Sequence, residues 1–130
     1  MIDDPPLLQV RRNFQRPKDS DLAALAGLQT GYITDAMGGR GALGYRVKPL
    51  APLSRTMAGV PLTCHCGPRD NRALLGALHA ARAGDVLMVA TDAFAATAVT
   101  GDLVMGMARN RGMAGLVTDG MARDVAGILG

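Results

Sequence analysis

Two carboxylates and one guanidinium carry the chemical interest of this chain. Asp102 is followed, after twenty intervening residues, by the adjacent pair Arg123-Asp124, and glycines flank both segments at Gly101 and Gly120. Carboxylates offer hard oxygens to a divalent cation, and a guanidinium offers a planar fork to a carboxylate or keto oxygen. The set therefore suits a metal ion and an α-keto acid together. A helix that opens after Asp102 leaves the Leu103 and Val104 amides without intrahelical acceptors, and such amides bind anions. A plainer reading stands beside this one. Aspartate is a common helix N-cap contributing roughly 1 kcal/mol, so Asp102 and Asp124 could each simply cap a helix. Arg123 beside Asp124 could be a surface ion pair of little energetic weight. Arg123, however, falls where a strand end meets a helix start, the edge of an α/β sheet at which small ligands commonly bind.

The elements that must position these groups follow from periodicity. Ser20 caps an expected helix to about Met37, with Leu22, Leu25, Ala26, Tyr32 and Ile33 near one stripe, and Gly38-Gly39 ends it. Residues 41–54 read as loop with a short strand around Val47 and Leu50, and residues 57–66 as a strand broken by Gly67-Pro68. Asp70 or Asn71 caps a helix through Arg82, with Leu74, Leu75, Leu78 and His79 at helical spacing. Residues 86–90 suit a buried strand. Residues 91–100 are ambiguous, their alanines allowing a helix. A helix over 103–110, a strand over 114–118, a turn at Asp119-Gly120 and a helix over 124–129 complete the pattern. Strands alternating with helices predict an α/β layered domain. Residues 1–18 read as an irregular arm and 19–130 as the domain. The last residues stop without a closing element, which suggests a C-terminally incomplete piece of a longer protein.

Bulk properties narrow the function classes. At 130 residues the chain is one domain by length, with 48% hydrophobic residues, enough to build a core. Aromatics are only 3%, so Ala, Val, Leu and Met must fill that core, the eight methionines as gap-fillers. The net charge of +3 is concentrated in Arg11, Arg12, Arg16 and Lys18, a solvated terminus rather than a nucleic-acid surface, because stacking aromatics other than Phe14 are missing. Cys64 and Cys66 share one face of a strand and read as a reduced, core-facing pair, with His65 pointing away. The acidic, proline-broken opening Met1–Pro6 is no signal peptide, and no apolar run reaches membrane length. A cytoplasmic protein without membrane or nucleic-acid partners is the expectation. His79 is expected at the surface. Asp92, after a strand end, is a lesser site candidate, and Asp119 either lines a pocket or closes a turn.

The segments Gly84–Leu87, Gly101-Asp102-Leu103, Gly115–Gly120 and Arg123-Asp124 resemble the RraA-like family. That family holds class II pyruvate aldolases of the 4-hydroxy-4-methyl-2-oxoglutarate type and the regulator of ribonuclease activity A. The resemblance covers most of residues 20–128 and implies a swivelling β/β/α fold and homotrimers or homohexamers with sites at subunit interfaces. It also implies a metal-dependent lyase that releases pyruvate and could decarboxylate oxaloacetate. Asp124 would hold Mg²⁺ or Mn²⁺, Arg123 would bind the keto acid and stabilise its enolate, and Asp102 would position a water at the metal. The Gly101–Val104 segment would receive the substrate, its Leu103 and Val104 amides taking the carboxylate. The regulator branch lacks the intact Asp-to-Arg-Asp pattern, which favours the aldolase branch over a non-catalytic ribonuclease inhibitor. Arg69 stands before Asp70-Asn71 where relatives commonly carry glycine. No glycine-rich nucleotide loop supports methyl transfer, a label borne by some relatives.

Overall fold

The computed structural model describes residue 4 and residues 6–52 and 56–130. Most of the Met1–Pro6 opening and the end of the 41–54 loop therefore lie outside the described residues. The elements run α1 (Asp19–Leu25), α2 (Thr30–Ala36), β1 (Pro61–His65), α3 (Arg72–Ala80), β2 (Val86–Ala90), β3 (Ala98–Thr100), α4 (Asp102–Asn110), β4 (Gly115–Thr118), β5 (Met121–Ala122) and α5 (Val125–Leu129).

Two parallel sheets form the frame. One has strand order β1-β2-β4 and the other pairs β3 with β5. The first sheet is in register at Leu62↔Leu87 and Leu87↔Leu116. Leu62, Cys64 and Cys66 alternate onto one face of β1, as strand geometry requires, and meet Leu74 and Leu78 from α3. Leu74, Leu78 and Leu87 are essentially inaccessible. Each removes roughly 1.5–3 kcal/mol worth of apolar surface from water, and these leucines with Val89, Val99 and Ala108 are the core. Both cysteines are free thiols. Burial, reinforced by the neighbouring Cys66, pushes the Cys64 thiol up to about 12, so it packs as an inert apolar group.

Several local expectations need correction. The single helix over 20–37 is two short helices broken at Gly27, whose φ of 80° no continuing helix can hold. Lys18, not Ser20, is the N-cap of α1. None of the stripe residues of α1 and α2 is buried. No strand forms around Val47 and Leu50 among the described residues, and residues 57–60 precede β1 rather than joining it. The ambiguous 91–100 stretch holds strand β3, not a helix, and β5 was not expected at all. Leu75 is exposed on the outer side of α3, and Met107 lies at the surface, whereas Met113 packs against the core.

Candidate functional site

Pairing of β3 with β5 brings the chemistry-bearing segments together. Ala98 aligns with Met121 and Thr100 with Ala122, so the two parallel strands end side by side. The residue after Thr100 is Gly101, and the residue after Ala122 is Arg123. The Arg123 amide donates to the Thr100 carbonyl at 3.1 Å and locks this register. Segments twenty residues apart in sequence thus emerge at one carboxyl edge, from which α4 and α5 start.

Gly101 is the point of contact. A Cβ placed there would stand 3.0 Å from Asp124 Oδ2, 3.1 Å from Arg123 Cγ and 3.4 Å from Arg123 Nε. Its φ of −160° is ordinary extended backbone, so glycine is required by space and not by conformation. A second glycine does the same for Asp102. A Cβ on Gly127 would stand 2.8 Å from Asp102 Cβ and 3.0 Å from Asp102 Oδ2. Asp102 and Asp124 therefore rest on backbone that lacks side chains, at the junction of α4 and α5. Arg109 fastens that junction by donating to the Ile128 carbonyl at 2.9 Å.

Arg123 Nε lies 3.2 Å from Asp124 Oδ2, with the two side chains 73% and 47% exposed. Asp124 is the N-cap of α5, as one reading of the sequence held, in a left-handed conformation with φ 58°. Such a backbone is costly for most residues and tolerated by aspartate, and strain of this kind gathers at functional sites. Asp102 differs from expectation. Gly101 is the N-cap of α4 and Asp102 is its first helical residue. Its Oδ1 accepts from the Leu103 amide at 2.7 Å. Of the two amides expected to be open, Leu103's is thus engaged, while Val104's has no hydrogen-bond partner among the described residues.

The donor chemistry fits a hard cation only in part by protein atoms. Among the described residues no group of three or more His, Cys, Asp or Glu is arranged to hold an ion. Mg²⁺ is usually held by one or two carboxylates with several waters, and the exposed carboxylates of this edge are Asp102, against Gly127, and Asp124, against Gly101. The surface is open here. Asp102, Arg123 and Asp124 line neither the large cleft beside β1 nor the small cavity at Thr91 and Val99.

Other residues that sequence reasoning left open or missed lie mostly at the strand ends of the first sheet. Asp119 reaches across from the end of β4 to the loop after β2. Its carboxylate accepts from the Thr91 amide at 2.7 Å, the Thr91 hydroxyl at 3.0 Å and the Ala93 amide at 2.9 Å. Burial raises its pKa, yet the hydrogen bonds from Ala93 and Thr91 outweigh that and lower it overall. Asp119 is thus a latch between loops, resolving its ambiguity. Asp92 and Ala93, both left-handed, are held in that latch. Asp92 Oδ2 lies 2.9 Å from His65 Nε2, a pairing with no sequence signal because the partners are twenty-seven positions apart. His79 is exposed. Thr100 Oγ1, beside Gly101, is buried without a partner.

Comparisons with known proteins bear on the family and the fold. Residues 30–130 match the RraA-like family, described as Aldolase/RraA. A Halalkalibacterium halodurans protein named "Putative 4-hydroxy-4-methyl-2-oxoglutarate aldolase" is 36% identical over 98 residues, covering 75% of this chain and 46% of its own length. The RNA-processing inhibitor RraA from Thermus thermophilis superposes with a TM-score of 0.67 at 27% identity, over 78% of this chain and 60% of that one. A Streptomyces coelicolor member of the RNase ES inhibitor RraA family gives 0.76 at 25% identity, over 90% and 61%. The chain spans about half the length of the curated relative, at 46%.

Proposed function

Because this chain belongs to the RraA-like family, we propose that it carries the site of a divalent-metal-dependent class II aldolase. Its substrates would be 4-hydroxy-2-oxo acids of the 4-hydroxy-4-methyl-2-oxoglutarate type, cleaved to pyruvate, with oxaloacetate decarboxylation as a second outcome of the same chemistry. The observation that supports this most is the meeting of Arg123 and Asp124 over Gly101, next to Asp102.

Each residue then has a task. Asp124 would supply hard oxygens to Mg²⁺ or Mn²⁺, and Asp102 would position a water beside it. Held there, such an ion would supply Lewis-acid polarisation of the substrate's C2 carbonyl. Arg123 points its fork at the keto acid and stabilises the charge that develops on the enolate oxygen. The Val104 amide, at the opening of α4, takes the substrate carboxylate. Asp102 accepts, through a water, the proton of the C4 hydroxyl. The C3–C4 bond then breaks: the C4 oxygen becomes the carbonyl of the departing fragment, the bond's electron pair forms the enolate, and the proton taken up returns to C3 to give pyruvate. In oxaloacetate the C3–C4 bond pair likewise stays behind as the enolate while the C4 carboxylate departs as CO₂.

Purified protein with Mg²⁺ and such a substrate, coupled to lactate dehydrogenase, is expected to produce pyruvate, and EDTA is expected to stop it. Turnover that persists in chelator would refute the reading.

A second reading has its own support. Leu103 is 78% exposed, and Met107, Val125 and Leu129 are exposed on the same α4–α5 region. An apolar surface of this kind beside the site suits a covering partner. Under the aldolase reading the partner is another subunit, in a trimer or hexamer. Under the alternative it is a ribonuclease bound by a non-catalytic regulator. Pull-down with intact ribonuclease in the absence of lyase turnover separates them. A cytoplasmic location belongs to both readings; among the described residues no helix is long and apolar enough to cross a membrane.

A further inference from the structure

β1 is one of the two outer strands of its sheet. Val86 N donates to the Val60 carbonyl and Cys66 N to the Ala90 carbonyl, so the even-numbered residues of this stretch turn their backbone groups toward β2. By alternation, Thr63 and His65 turn theirs outward. Among the described residues no backbone group bonds to that outer edge. An unpaired edge of this kind is a template for another strand.

The edge faces a cleft of about 1020 Å³ whose opposite wall is the N-terminal arm. The arm is pinned at two points. Arg16 forms a bidentate ion pair with Asp85, Nη1 to Oδ1 at 2.6 Å and Nη2 to Oδ2 at 2.9 Å, and Asp85 is 2% exposed. Further up, Leu8 lies on α3 where Gly76 leaves room, Leu8 Cδ2 being 3.1 Å from the site of a Cβ. The wall is therefore a positioned element.

Its charge is one-sided. Arg11, Arg12 and Arg82 line the cleft and have no ion-pair partner among the described residues. The lining carboxylate Asp70 is neutralised by Arg72 at 2.6 Å. The lining also includes apolar surface from Val10 on the arm and from Ala73 and Ala77 on α3. Nucleic acid fits poorly. The one Phe, Tyr or Trp ring of the lining, Phe14, is covered by the Arg16 guanidinium, 5.0 Å from its centroid, which leaves only the His65 and His79 imidazoles for a base to stack on.

We infer that the cleft between the arm and β1 is a docking groove for an extended acidic segment of a partner protein, which adds as a strand to the outer edge of β1. Backbone groups of Thr63 and His65 give the ladder, as in other strand-addition sites. Alternate aliphatic side chains of the segment enter between Val10, Ala73 and Ala77. Its carboxylates meet Arg11, Arg12 and Arg82. The groove uses none of the residues assigned above to aldol cleavage, so it stands or falls separately.

The test titrates the ¹⁵N-labelled chain with a fluorescent peptide of alternating Glu and Val, and with its Lys/Val counterpart. Saturable binding of the acidic peptide alone, with shifts and slowed exchange at the Thr63 and His65 amides, is expected. Arg11→Glu with Arg12→Glu is expected to weaken it at least about tenfold, since like charges then face each other. Thr63→Pro, which removes an edge donor, is expected to weaken it also. Equal binding of both peptides, or none, overturns the inference. So does single-stranded RNA binding that the Arg11/Arg12 variant abolishes without any acidic-peptide binding. Concentration-dependent protection of the Thr63 and His65 amides without peptide also overturns it, by assigning the edge to a second copy of the chain.

Discussion

The Asp124 carboxylate lies against the α-carbon of Gly101: a side chain on residue 101 would begin 3.0 Å from Asp124 Oδ2. Gly101→Ala therefore displaces the carboxylate and the adjoining Arg123 side chain rather than the backbone. Both are exposed enough to give way, so a change in stability within about 1 kcal/mol is expected. Misplacement of the reacting groups by about 1 Å can cost roughly 10²-fold in rate. The expected outcome is a normal thermal melt with pyruvate production reduced on that scale. An alanine variant of full activity would mean that the two side chains do not act where they rest.

Arg123→Ala and Asp124→Asn should lower kcat by roughly 10²–10³-fold, the usual effect of removing a group aimed at developing charge. Arg123→Lys should recover little, because a point charge does not replace a planar fork. The Asp124→Asn variant should also bind Mn²⁺ more weakly by titration calorimetry, a readout independent of turnover. Unchanged Mn²⁺ affinity would remove Asp124 from the metal's ligands.

The Arg16–Asp85 pair should matter for stability, not catalysis. The Arg16 side chain, helped by the Arg82 amide, holds the Asp85 carboxyl below the ordinary 3.8 despite burial. A carboxylate with a depressed native pKa stabilises the fold above its unfolded value, and that contribution drains away as pH falls toward the native one. Melting temperature should thus be flat above about pH 5 and fall below about pH 4. Arg16→Ala leaves a buried charge short of a partner and should cost about 3–5 kcal/mol. It should also free the arm to proteolysis before residue 16. A variant as stable as wild type would show the arm to be held by other contacts.

Asp119→Ala removes one acceptor from three donors and should cost on the order of 1–3 kcal/mol. Hydrogen exchange at the Thr91 and Ala93 amides should rise selectively. Because the depressed native pKa of Asp119 gives the latch the same sign, the protection of those amides relative to the intrinsic exchange rate should fall in wild type only at acid pH. Protection that survives the alanine variant would argue that the β2–β3 loop is ordered by its backbone alone.

Strong periodicity was legible. The buried run at residues 86–90 and the helix at residues 72–80 lie where expected because apolar side chains at those spacings have few other folds. Weak local signals misled. Alanines at 91–100 permit a helix in isolation, but Val99 is drawn into the core and Thr100 pairs with Ala122, giving a strand. A strand as short as β5 has no period to read.

The identities of Asp102, Arg123 and Asp124, their flanking glycines and the family pattern were all present in the chain itself, since they depend on local residue order. Only the tertiary structure decided that β3 and β5 run parallel and end together, that Gly101 and Gly127 seat the two carboxylates, and that Asp119 reaches Thr91. Those are contacts between distant segments. They are set by which strands pair and by what space each glycine leaves, quantities that no single window of sequence contains.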